Sequence, residues 1–229
     1  MLVARTARSH QDIDILIHNG YDYQVAEAMV RACLTTDPQT EAVRDDTNRS
    51  KWEWYKDCGY EKSISREGRL SSPPVALPHC LKTVTFRKMY YNGDVKELEE
   101  NTLYYSTVHN APVANLFCVD QSRKVVYALN STANSLRNHS FNAGAIKIFM
   151  ESMQFFVAGN DEYKVVLIGV TDWSRRSTNG MKFINSAGME GSLKDFKKDK
   201  SSTDSEIFSR LDSYIVRACF YPQVPKELI

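Results

Sequence analysis

Four residue types that can cooperate in acyl transfer lie along one stretch of this 229-residue chain, TVHNAPVANLFCVDQSRKVVYALNST: His109, then Cys118, then Asp120 and Asn130. A cysteine nucleophile needs an imidazole to take the thiol proton and a carboxylate or amide to hold that imidazole. It also needs helix amides beside the sulfur to stabilise thiolate and oxyanion. His109 fits the first role, Asp120 or Asn130 the second, and the turn Ser177-Thr178-Asn179-Gly180 offers a strand-to-helix bend for the third. Each residue also has a plainer reading. Cys118 sits mid-strand, where a free thiol behaves as a small hydrophobe; Asp120 opens a turn; His109 precedes the bend Asn110-Ala111-Pro112, and Asn130-Ser131 ends a strand. Cys80 adjoins His79, but neighbours in a strand point to opposite faces.

A second constellation is basic. Lys194, Lys197, Lys198 and Lys200 follow within a short distance of Arg175 and Arg176. A solvated charged face is one account of them. If the two regions converge, they form a patch for a polyanion, a coenzyme A phosphate or an RNA backbone. Trp52 and Trp54 could stack on a base or ligand, or pin a polar stretch to the core.

The composition restricts the partners. The formal charge is +1, so the overall field does not select nucleic acid or an anionic membrane, and a charged partner must use a local patch. The five cysteines, Cys33, Cys58, Cys80, Cys118 and Cys219, form no CxxC pair or Cys/His cluster, which argues against a disulfide framework or structural zinc and for a reducing compartment. The opening residues carry too short an apolar run for a secretory signal, and no apolar run is long enough to span a bilayer. The expectation is a soluble, cytoplasmic protein. The N-x-S/T sequons at Asn48, Asn130 and Asn138 carry no weight without secretion.

The elements that must position these residues follow from periodicity. Ile13, Leu16 and Ile17 share a helical face, and a second helix runs from about Tyr23 to Leu34 with Val25, Ala28, Met29, Ala32 and Cys33 as its stripe. Around Gly20-Tyr21 the pair resembles two helices of a ubiquitin-associated domain, or is a helical hairpin that caps the main domain. From Thr35 to Pro78 the chain reads as a long surface segment with a short helix. Strands are expected in LKTVTFRKMYY and TLYYSTV, with the Asn92-Gly93 turn and a short DVKELEE helix between them. Val113–Val119 and Lys124–Leu129, apolar on both faces, predict a hairpin at the centre of a covered sheet.

Ile146, Phe149, Met150, Met153, Phe156 and Val157 predict a helix capped by Ser140 or Asn142 and stopped by Gly159, before the apolar strand Tyr163–Val170. A last helix is expected from the capping box Thr203-x-x-Glu206, with Ile207, Leu211, Tyr214, Ile215 and Ala218 on its buried face. The sum is an α/β (α+β) fold: a mixed β-sheet with a central hairpin, covered by helices, plus an N-terminal helical hairpin. Its expected divisions are a helical hairpin at 1–36, an irregular surface segment at 37–80 and a main α/β domain at 81–229. Strand ends are where sites gather in such folds, which directs attention to Asn130-Ser131 and to the loop Thr171–Phe183.

The succession of a histidine-bearing strand, a hairpin ending in an acidic or amide residue, a long helix, an apolar strand and the turn RRSTNG resembles the SUMO and adenoviral cysteine proteases. It is closer to the YopJ-type acetyltransferases of bacterial pathogens, whose last turn is Ser/Thr-rich and then Cys-Gly. The likeness covers roughly Leu81 to Gly191. It implies His109, Asn130 and Asn179 as the positions of the catalytic set. It further implies acetyl-CoA and inositol hexakisphosphate as ligands, with Arg175, Arg176, Lys194, Lys197 and Lys198 holding phosphates.

Asn179 stands where the family has its cysteine, and an amide is no acyl-transfer nucleophile; His109 falls a few residues before the family's histidine, with Pro112 or Val113 nearer that place. A non-catalytic relative, a substituted nucleophile and a chance likeness all stay open. Two functions are therefore carried forward. One is an effector-like, virulence-associated protein, an acetyltransferase or cysteine protease in outline and a pseudoenzyme if no nucleophile has been substituted. It would act on or bind a partner protein, in the host cytoplasm if it is delivered there. The other is a non-enzymatic binder of protein or RNA that uses a local basic patch.

Overall fold

The computed structural model describes residues 27, 30–31, 33–35, 52–86, 98–106, 113–132, 136, 139–156, 163–172, 179–199 and 204–218. In chain order its elements are β1 (Glu53–Lys56), β2 (Lys82–Phe86), β3 (Thr102–Ser106), β4 (Leu116–Asp120), β5 (Val125–Thr132) and β6 (Ser140–Asn142). There follow α1 (Ala143–Phe156), β7 (Lys164–Asp172), β8 (Lys182–Ile184), β9 (Glu190–Gly191), α2 (Leu193–Lys198), α3 (Ser205–Ser209) and β10 (Leu211–Ala218). A seven-stranded sheet runs in the order β1-β10-β7-β5-β4-β3-β2, and a three-stranded sheet in the order β6-β8-β9. Strands β5, β7 and β10 are parallel, β2 is parallel to β3, and β1 and β4 run antiparallel to their neighbours.

The hairpin β4–β5 occupies the middle of the large sheet because both of its faces are apolar. Phe117, Val119, Val126 and Ala128 join one core layer with Ile146, Phe149 and Met150 of α1. Leu116, Cys118, Tyr127 and Leu129 join the other with Val30, Leu34, Trp52 and Trp54. Asp120 closes the turn: its Oδ1 accepts from the Ser122 hydroxyl at 2.7 Å and from the Arg123 amide at 2.9 Å. Helix α1 is capped by Asn142, whose Oδ1 accepts from the Gly144 amide at 2.8 Å, and it forms the crossover between parallel β5 and β7. The Cys118 side chain is fully buried. Native protein should leave Cys118 unmodified by iodoacetamide at neutral pH on a timescale that exhausts a free thiol, as read by mass mapping; rapid labelling would reopen it as a reactive group.

Of the N-terminal hairpin, Glu27, Val30, Arg31, Cys33 and Leu34 are helical; its other residues lie outside the described ones, as do the Asn92-Gly93 turn and the expected DVKELEE helix apart from Leu98-Glu99-Glu100, which are not helical. Val30, Arg31, Cys33 and Leu34 are buried, as is Thr35, which bridges to Cys80. On this helix the buried Arg31 guanidinium lies 4.6 Å from the Tyr105 ring centroid. Burial pushes the Glu27 carboxyl up from 4.5 to about 7, against the pull of Arg31. A carboxyl raised in the folded state binds more protons there than in the unfolded chain, so the stability it contributes is complete below its unfolded pKa and is lost as pH rises through 7. The expected loss across that window is up to about 3 kcal/mol. Denaturant midpoints taken from about pH 4 to about pH 8 should show it in the wild type, and Glu27→Gln should flatten it; an identical slope in the variant would contradict this assignment.

Several sequence expectations change. The segment read as irregular contributes β1, an edge strand paired with β10, because Trp52 and Trp54 are buried at 7% and 4% exposure and carry Tyr55 with them into the sheet. The short helix expected in that segment is the 3-10 turn Arg66–Gly68. The expected last helix ends at Ser209, and Leu211–Ala218 is strand β10 instead, registered from Leu211 opposite Val165 to Ala218 opposite Asp172. Its apolar residues satisfy both periods. The tertiary slot beside β7 decides, placing Leu211 and Ile215 in one layer and Val216 and Ala218 in the other. Thr203 lies outside the described residues; the carboxylate of the next residue, Asp204, accepts from the Ser186 amide at 2.6 Å and its hydroxyl at 2.7 Å rather than capping α3.

Candidate functional site

The two polar strand ends expected to carry chemistry do share one edge, since Asn130 of β5 sits opposite Gly169 of β7 and Thr132 opposite Thr171. Among the described residues they assemble no acyl-transfer set there. Asn130 is buried, and among the described residues no donor reaches its Oδ1. Cys118 belongs to the opposite core layer from the one that Ala128, two residues before Asn130 and on the same face, enters. Asn179 is engaged elsewhere: its Nδ2 donates to the Tyr60 carbonyl at 2.6 Å, and its backbone bridges to Ser63. After Gly180 the chain enters strand β8, not the helix that the turn RRSTNG led us to expect, so no helix amides face residue 179. His109, Arg175 and Arg176 lie outside the described residues.

The cavity with the clearest construction lies at the other end of β1. It measures about 600 Å³ and is lined by Lys56, the turn 57–62, Glu190-Gly191 of β9 and Ser192, Lys194, Asp195 and Lys198 of the α2 segment. Its floor is built by Asp57. One carboxylate oxygen accepts from the Gly59 and Met181 amides, each at 3.0 Å, and the other from the Ser213 hydroxyl at 2.8 Å, so one side chain ties β1, β8 and β10 together. Gly59 has φ +83°, and a Cβ there would stand 2.7 Å from Ser192 Cβ. At Gly180 a Cβ would stand 2.4 Å from the Gly59 nitrogen, so backbone lies directly on backbone and no side chain fits. Helix α2 presents its cations by burying the rest: Leu193 and Phe196 go into the core, Phe196 stacking on Phe208 at 5.0 Å, and Lys194 and Lys198, one turn apart, are left exposed at the cavity. Lys197 points away and pairs with Asp212 at 3.0 Å, so only two of the three helix lysines expected to bind an anion line the cavity.

The charges of this cavity are unevenly compensated. Its carboxylates have partners: Asp57 its three donors, Glu61 the Tyr60 hydroxyl at 3.4 Å, Glu190 the Lys182 ammonium at 2.9 Å, and Asp195 the Ser192 hydroxyl. Ser192 first, then the Lys198 and Lys194 charges, hold the Asp195 carboxyl below its ordinary value, while burial raises that of Asp57. Among the described residues, the ion pairs engage none of Lys56, Lys62, Lys194 and Lys198. The Cys58 thiol lies 3.3 Å from the Lys62 carbonyl, to which it donates, and burial and then the Asp57 charge push its pKa up, so it is a protonated thiol and a poor nucleophile. No cluster of three or more His, Cys, Asp or Glu side chains that could hold a metal occurs among the described residues, and no helix there is long and apolar enough to cross a membrane.

Sequence reasoning found Lys194 and Lys198 but not Lys56, Lys62 or the turn that joins them. The available signal was Asp57-Cys58-Gly59, an Asx-Gly bend directly after an aromatic run. No family model, curated protein or solved structure matches this chain.

Proposed function

We propose that this protein is a non-enzymatic binding protein whose cavity takes a phosphate-bearing ligand. One observation carries the reading: among the described residues no carboxylate pairs with the ammonium groups of Lys56, Lys62, Lys194 and Lys198 that line the cavity, whereas its carboxylates, Asp57, Glu61, Glu190 and Asp195, each accept from a donor. Ammonium groups recognise phosphate as point charges, and several around one volume select a multiply charged ligand over a single carboxylate. The volume suits a small molecule or one phosphorylated group of a partner protein, not a duplex. The acyl-transfer alternative requires an activated nucleophile, and the raised thiol of Cys58 and the buried thiol of Cys118 do not favour it.

The test is calorimetric titration with inorganic tripolyphosphate, a phosphopeptide and acetyl-CoA. Wild-type protein should bind tripolyphosphate with an affinity that falls as salt rises, and Lys194→Glu/Lys198→Glu should weaken it by at least about tenfold. A phosphopeptide that outcompetes tripolyphosphate would identify the source as a partner protein. No binding, or binding indifferent to the double reversal, would overturn the reading. Acetyl-CoA turnover with acetylation of a protein would instead support the acyl-transfer scaffold.

A further inference from the structure

The part of the cavity wall supplied by β9 is an open sheet edge. β9 is the last strand of the three-stranded sheet and pairs only with β8, with Phe183 opposite Gly191 and Ile184 opposite Glu190. One step further along this ladder, the Asn185 amide donates to the Met189 carbonyl at 3.0 Å. Antiparallel pairs alternate between bonded and non-bonded kinds, so the pair Ile184–Glu190 is non-bonded, and the Glu190 N–H and C=O turn away from β8 to the outer edge. Among the described residues no group bonds either of them, and Glu190 is exposed. Its carboxylate is engaged by Lys182 at 2.9 Å, so what Glu190 offers a ligand is main chain. Glu190 and Gly191 both line the cavity.

The α2 lysines stand near that edge because only Ser192 separates β9 from α2. Glu190 and Lys194 are four residues apart, so their Cα atoms lie at most about 14 Å from each other. An extended peptide covers that distance with about four residues. A free polyanion would use the ammonium groups and leave the Glu190 main chain to water. A phosphorylated, extended stretch of protein would use both, because strand addition satisfies main-chain groups while one side chain carries the charge that the lysines select. Resting on the basic-cavity reading, we infer that the ligand is a phosphorylated segment of a partner protein, added to β9 as a further strand through the Glu190 N–H and C=O, with its phosphate on Lys194 and Lys198. Met189, 56% exposed, gives the added strand an apolar neighbour at the end away from α2.

The experiment titrates the full chain calorimetrically with a phosphoserine peptide of about nine residues, long enough to cross the edge, with its unphosphorylated form, with O-phosphoserine and with inorganic tripolyphosphate. The phosphopeptide should bind at least about tenfold tighter than O-phosphoserine, an advantage that two backbone hydrogen bonds can supply. Removing its phosphate should cost at least about tenfold. Glu190→Pro lacks the outward N–H, and an edge strand accepts proline where that N–H faces solvent. The variant should abolish the peptide's advantage while leaving tripolyphosphate affinity within about twofold. Glu190→Ala keeps the N–H and should preserve the advantage. Wild-type protein reads the same contact without a variant: among phosphopeptides N-methylated at one residue each, at least one should lose the advantage. A phosphopeptide no tighter than O-phosphoserine, or an advantage that survives Glu190→Pro or is kept by every N-methylated peptide, overturns strand addition; tripolyphosphate binding would leave the basic-cavity reading standing. Tripolyphosphate that the phosphopeptide cannot displace assigns the cavity to a small polyanion and overturns the partner. Failure of every phosphate ligand to bind removes both readings.

Discussion

Asp57→Ala is expected to destabilise the protein by about 3 to 5 kcal/mol, because it strips the acceptor from the Gly59 amide, the Met181 amide and the Ser213 hydroxyl in one step. Those donors belong to the turn, to the approach to β8 and to β10, and the first two lie in backbone packed too closely at Gly180 to turn toward water. Asp57→Asn keeps an acceptor oxygen and should recover part of the loss, which a role in excluded volume alone would not explain. Urea titrations of the three proteins measure this. A midpoint for Asp57→Ala equivalent to less than about 0.5 kcal/mol would show that the carboxylate does not hold the cavity floor.

Phe149→Ala is expected to cost a similar amount, about 3 to 5 kcal/mol. The ring is fully buried, meets Phe117 edge-on at 6.0 Å, and through Phe117 touches the stacked Tyr104, so its removal opens a hole between α1 and the two middle strands. Close packing limits how far those rings can follow it. The same urea titration reads the change, and a shift within about 0.5 kcal/mol would mean that α1 does not cover the sheet at this point.

The central half of the fold was legible because its residues obey a single period. Val113–Val119 and Lys124–Leu129 are apolar on both faces, Tyr163–Val170 is an apolar run, and Ile146, Phe149 and Met150 fall on one helical stripe, so hairpin, covering helix and buried strand follow from the sequence. Leu211–Ala218 was misread because eight residues with apolar side chains at mixed spacing fit helix and strand alike, and only the open position beside β7 distinguishes them. β1 escaped notice for a related reason: four residues flanked by polar chain carry no period, and their place in the sheet comes from the pairing of Tyr55 with Ile215.

The site was half legible. Lys194 and Lys198 stood out as part of a basic run, but that run did not say which lysines would turn inward. The burial of Leu193 and Phe196 sends Lys197 to Asp212 and leaves the other two at the cavity. Lys56 and Lys62 come from a segment more than a hundred residues earlier, brought across by Asp57 through hydrogen bonds to Met181 and Ser213. Contacts of that separation leave no local pattern. The turn Ser177-Thr178-Asn179-Gly180 misled in the opposite sense. Its glycine is needed for close backbone approach to Gly59 and not for entry into a helix.

The claim that this cavity takes phosphate is tested most directly at Cys58, a half-buried thiol on its lining. In a Cys219→Ser background, the rate of iodoacetamide modification at Cys58 is followed by mass mapping with and without saturating tripolyphosphate. The account predicts that tripolyphosphate slows Cys58 modification by at least about fivefold, and that Lys194→Glu/Lys198→Glu removes the protection while leaving the unprotected rate within about twofold. Tripolyphosphate that binds the protein yet leaves the Cys58 rate unchanged would place the anion elsewhere and contradict the account.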